Sequence, residues 1–123
     1  MSYNCDSWKT KAIEDLRIPM ASFFKHSRTD WHPEPLVGDD GFTVIGVELM
    51  ESTISGTVED GILMVKDIDI SGEGSGTALG WIFRPAFEDS TGKFSAVTVW
   101  EGGDSICRIT VEDGVYKEEQ IEL

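Results

Sequence analysis

The chain is poor in the residues that most site chemistry needs. Its 123 residues include two histidines, His26 and His32, and two cysteines, Cys5 and Cys107. The cysteines stand far apart and belong to no CxxC or Cys/His cluster, so a reduced, cytoplasmic protein is expected, and nothing in the sequence indicates a disulfide between them. No Ser lies in a nucleophile-elbow pattern and no HExxH is present. Apolar runs are short, and none approaches the roughly 20 residues of a membrane-spanning helix. The first residues, MSYNCDSWKTK, hold no apolar stretch and no small-residue cleavage site, so no secretory signal is expected.

Positive charge is the other scarcity. Ten basic side chains face 23 acidic ones, for a net charge of −13. The imbalance is local. Residues 1–37 carry five acids and five bases, whereas residues 38–123 carry 18 acids and five bases. Direct binding to nucleic acid is not expected, because phosphate contacts need Lys and Arg. An anionic membrane surface is disfavoured for the same reason.

What the chain does have is length for one domain and 40% apolar residues, enough for a core. The first third reads as helical. Asp6 or Ser7 is placed to cap a helix with Trp8, Ala12, Ile13 and Leu16 on one face. Pro19 then opens a second short helix carrying Met20, Phe23 and Phe24. TDWHPEP, residues 29–35, reads as an extended or turning link. From Phe42 onward the pattern is alternation with frequent glycine: Ile45/Val47/Leu49, Ile54/Val58, Ile62/Met64/Ile68/Ile70, Leu79/Trp81/Phe83, Phe94/Ala96/Trp100, Cys107/Ile109/Val111, then Val115 with Ile121 and Leu123. The expected fold is α+β but mainly β. One or two short N-terminal helices precede about seven antiparallel strands in a meander, sandwich or partly open barrel. The whole chain forms a single domain, residues 1–123.

The pentapeptide TVEDG occurs twice, at residues 57–61 and 110–114. β-Branched residues precede each copy's turn and apolar residues follow. The reading is a hairpin with a three-residue Glu-Asp-Gly loop, the glycine taking the left-handed position.

Candidate sites were weighed against plain structural roles. DIDISGEGSG, residues 67–76, has Asp67, Asp69, Ser71 and Gly72 at calcium-loop places, but Ala78 stands where a bidentate Glu is needed. A strand ending in a glycine-rich loop is the better reading, and no metal or other cofactor is expected. Asp30 and His32 form no recognisable catalytic set. Cys107 alternates with apolar residues and reads as core. Trp81, beside the glycine-rich loop, is the tryptophan best placed for an interface. The acids gather in clusters: Asp67 and Asp69 on one face of a strand with Glu73 in the loop after it, Glu88-Asp89 and Glu112-Asp113 in turns, and Glu118 with Glu122 on one face of the last strand. Such clusters steer cationic partners. The partner-binding candidates are Asp67, Asp69, Glu73, Trp81, Glu88, Asp89, Glu118 and Glu122.

In size, in its 18-to-5 acid excess and in lacking a catalytic constellation, the chain resembles the small acidic immunity proteins of contact-dependent inhibition and other polymorphic toxin systems. The resemblance implies a non-enzymatic, cytoplasmic inhibitor of a basic protein, such as a nuclease toxin. A phage nucleic-acid mimic that blocks a host defence nuclease would have the same character. A small-molecule or carbohydrate-binding β-domain with Trp81 and Phe83 at its mouth is the alternative. An enzyme using Asp30/His32 or Asp67/Asp69 is a third.

Overall fold

A computed structural model describes residues 5–27, 31–36, 40–46, 52–70, 82–100 and 105–121. Eight strands form one antiparallel sheet: β1 (Cys5–Pro19), β2 (Trp31–Pro35), β3 (Gly41–Gly46), β4 (Thr53–Glu59), β5 (Ile62–Asp69), β6 (Thr91–Trp100), β7 (Ser105–Glu112) and β8 (Val115–Gln120). Their order across the sheet is β2-β3-β4-β5-β1-β6-β7-β8. The first strand is thus the centre. A four-strand meander lies on one side of it and a three-strand meander on the other. A 3-10 turn (Met20–Phe24) follows β1, and a short helix α1 (Arg84–Glu88) precedes β6.

The mainly β, antiparallel expectation holds, with eight strands rather than about seven. The expected first helix is corrected: residues 5–19 are a strand. The cause is a run of three irregularities in its pairing with β6, between Cys5 and Ser7, between Lys9 and Ala12 and between Glu14 and Arg17; the last two fall inside the expected helix. Thr10 and Asp15 inside them have positive φ, 53° and 50°. Each irregularity adds a residue and shifts the two-residue alternation. Trp8, Ile13, Leu16 and Ile18 all reach the core side, at spacings that imitate a helix. After Pro19 the chain does make its turn of 3-10 helix. The expected link at 29–35 contains β2, an edge strand.

A second correction concerns residues 79–83, read as a strand. Leu79 and Trp81 lie outside the described residues, and Phe83 leads into α1, whose first turn carries Pro85. Phe83 and Phe87, four apart, share the buried face of this helix. Phe83 is fully buried, which removes it from any pocket mouth.

The hairpin loops are shorter than expected. Glu59 pairs with Ile62 and Glu112 with Val115, so each TVEDG turns on two residues, Asp-Gly. Asp60 and Gly61 have φ of 51° and 75°, Asp113 and Gly114 of 46° and 86°. Positive φ at both positions is the signature of a type I′ turn, whose twist matches that of the flanking strands.

One face of the sheet is covered by the 3-10 turn and α1. A chain of ring contacts crosses beneath them: Phe42 to Phe23 (5.3 Å between centroids), Phe23 to Phe83 (6.4 Å), Phe83 to Phe87 (6.4 Å), Phe87 to Phe94 (5.8 Å) and Phe94 to Trp8 (5.5 Å). Ile54, Leu63, Ile68, Ile70, Ile109 and Val111 fill the space beside it. Cys107 is buried. Among the described residues nothing packs over the other, uncovered face.

Candidate functional site: an acidic end of the sheet

The strand order decides where the turns lie. β4 and β7 run parallel to β1, and both end in a TVEDG turn, so the two copies sit at the same end of the sheet. Four strand spacings separate them across the sheet, roughly 19 Å at about 4.8 Å per strand, and the register sets the second turn level with Glu14 of β1 and the first level with Pro19, a further stagger of roughly 13 Å along the strands. The junction from α1 into β6 and the upper part of β1 close in between. Glu14 and Asp15 come from β1, Glu59 and Asp60 from the first turn, Glu88 and Asp89 from α1 and its C-terminus, Glu112 and Asp113 from the second turn. All eight are exposed.

Three bases at this end are each held by an acid of the group, and a fourth, Lys117, is exposed beside Glu112 and Val115 with no ion pair among the described residues. Arg17 Nε lies 3.1 Å from Asp15, Lys93 Nζ lies 3.4 Å from Glu112, and Lys25 pairs with Asp89. Asp89 also accepts a hydrogen bond from Ser22 Oγ at 2.8 Å. These contacts with Lys25 and Ser22 hold its carboxyl below the usual aspartate range. Asp89 therefore ties α1 to the 3-10 turn. Among the described residues no base pairs with Glu14, Glu59, Asp60, Glu88 or Asp113.

The backbone at this end is tightly fixed. The Asp113 N–H donates to the Gly92 carbonyl at 3.0 Å, and the Gly92 N–H donates back to Asp113 Oδ1 at 3.1 Å. Gly114 packs against the carbonyl of Glu88, where a Cβ would stand 2.6 Å away. The first turn is anchored differently: the Met20 N–H donates to the Gly61 carbonyl at 2.9 Å, and the space beside Gly61 is open.

The sequence candidates do not converge on one patch. Asp67 and Asp69 lie on the uncovered face of β5, flanking buried Ile68 and Ile70. Asp67 is held by Lys11 from β1 at 3.0 Å, and the same ammonium donates to the Ile68 carbonyl at 2.9 Å. Glu118 lies on the opposite, covered face at the β8 edge and accepts the Tyr116 hydroxyl at 3.3 Å. Tyr116 stacks on Phe87 and carries the Arg84 guanidinium over its ring at 4.8 Å. Burial, reinforced by the neighbouring Glu118 charge, pushes its phenol well above the usual tyrosine range. Glu88 and Asp89 belong to the acidic end. Glu73, Trp81 and Glu122 lie outside the described residues.

Sequence reasoning missed Glu14, Asp15, Glu59 and Asp60 as members of a patch, and named Glu112-Asp113 as a steering cluster without placing either among the partner-binding candidates. The usable signal was the repeat itself, since identical turns after parallel strands fall at one end. Among the described residues no three His, Cys, Asp or Glu side chains are grouped as metal ligands. His32 contacts Glu34 at 2.9 Å on β2, and Asp30 lies outside the described residues. No family model, curated protein or solved structure matches the chain.

Proposed function

We propose that this domain is an immunity- or antitoxin-type inhibitor: a non-enzymatic protein that binds and neutralises a basic protein, with a nuclease toxin as the fitting target. It would act in the cytoplasm, where such a toxin meets nucleic acid. The observation that carries this reading is the concentration of eight exposed carboxylates at one end of the sheet, where three of the nearby bases, Arg17, Lys25 and Lys93, are already paired. A nuclease presents Lys and Arg to hold phosphates, and a group of exposed carboxylates carried on a packed sheet can meet that surface in place of a phosphate backbone.

The test is an inhibition assay. Proteins captured by this chain at low salt from its own source cells are purified and assayed for RNase and DNase activity. The expected result is a captured nuclease inhibited at one-to-one stoichiometry by the wild type. A doubly reversed variant, Glu59→Lys with Glu88→Lys, inhibits far more weakly. Equal inhibition by that variant, or capture only of neutral or acidic proteins, contradicts the reading.

A further inference from the structure

The two edges of the sheet are built differently. On β2 the Leu36 N–H donates to the Gly41 carbonyl at 3.1 Å, which fixes the phase of the pairing with β3. Even-numbered residues of β2 point their backbone groups inward, and Trp31, Pro33 and Pro35 point theirs outward. Two of the three outward positions therefore carry no N–H. This edge is closed to strand addition.

On β8 the Ile121 N–H donates to the Ile106 carbonyl at 2.9 Å. The same phase argument turns the odd residues of β8 toward β7 and leaves Tyr116, Glu118 and Gln120 with outward N–H and C=O groups. None of these is proline, and among the described residues no strand pairs with this side of β8. Residues 117–120 are all exposed and Val115 is 55% exposed. Beside the edge, on the uncovered face, Thr110, Glu112, Val115 and Lys117 line a depression that can receive side chains.

From this asymmetry, and resting on the reading above, we infer that β8 is the edge on which the partner docks, an extended basic segment adding as a ninth strand. Charge selects the occupant. Glu118 points to one face and Glu119 to the other, with Glu112 in the depression, so Lys or Arg on either face of an added strand meets a carboxylate. A second copy of this chain fits worse. The antiparallel self-pairing that uses all three outward residues sets Glu118 directly opposite its own counterpart, between two molecules each of charge −13. The closed β2 edge also prevents β2-to-β8 polymers.

The experiment uses the full chain and, as probe, a blocked decapeptide alternating lysine with valine. Binding is followed by nuclear magnetic resonance, with amide hydrogen exchange read in the same samples. Three proteins are compared: wild type, Glu118→Gln and Glu118→Pro. Proline at 118 removes an outward N–H but no bond to β7, so the sheet is retained. On binding, the amides of Tyr116, Glu118 and Gln120 gain protection in the wild type. Glu118→Gln binds slightly more weakly, and Glu118→Pro about tenfold more weakly than Glu118→Gln, the effect of one lost backbone bond and its disrupted neighbours. Absence of binding, unchanged protection at these amides in the wild type, or equal affinity of the two variants overturns the inference. So does a wild-type dimer in sedimentation that Glu118→Pro dissolves. The acidic-end reading fails separately: it fails if the Glu59→Lys/Glu88→Lys protein inhibits the captured nuclease as the wild type does.

Discussion

Asp89 shows how one carboxylate can belong to an acidic patch and still be internal to the fold. Its hydrogen bonds from Lys25 and Ser22 favour the charged form, so its folded-state pKa lies below the unfolded value of about 3.9. The stabilisation it gives is complete above that unfolded value and is lost as pH falls through the depressed one. Urea unfolding of the wild type and Asp89→Asn at pH 7 and pH 3 should therefore show a larger difference at pH 7. Equal differences at the two values would mean that the contact carries no charge-dependent stability. Asp67 is similar in kind, since reversing it confronts Lys11 within the fold as well as any partner outside. Glu59 and Glu88 have no such internal role, which is why they are the cleaner probes of binding.

At the level of elements, the two copies of TVEDG are a natural comparison. Both make Asp-Gly turns with positive φ, so an alanine at either glycine meets the left-handed penalty of about 1–2 kcal/mol. Only Gly114 also abuts backbone, at the Glu88 carbonyl. Gly61→Ala should lower unfolding stability by about 1 kcal/mol, and Gly114→Ala by about 2–4 kcal/mol, both measured by urea unfolding. Equal losses would place the second turn away from α1. Strands β4 to β8 could be read from the sequence wherever alternation ran unbroken into an Asp-Gly turn. β1 could not, because the irregularities around Thr10 and Asp15 turn a period of two into an imitation of a helix. α1 escaped notice because five residues are too few for a helical pattern, although Pro85 and the Phe83/Phe87 spacing were its signals. The acid pairs in the turns were visible as acids. Their convergence was not, because it depends on β1 entering the sheet between β5 and β6, a pairing of residues distant in sequence.

For the whole molecule, the account rests on an uneven distribution of charge. The central-strand position of β1 brings both TVEDG turns, α1 and the β1 irregularities to one end; elsewhere Asp67 is held by Lys11, whereas Asp69, Glu118 and Glu119 carry no ion pair among the described residues. On the proposed reading, a surface so charged draws a cationic target over distance before any contact forms. The most direct measurement is the association rate of this chain with its captured basic partner as salt is raised from 0.05 to 1 M. Over that range the screening length contracts from about 14 Å to about 3 Å. The prediction is a fall in association rate of about tenfold or more for the wild type, with a much flatter dependence for Glu59→Lys/Glu88→Lys. A wild-type rate that does not change with salt, or one that the double reversal leaves equally steep, would contradict the acidic end as the surface that meets the partner.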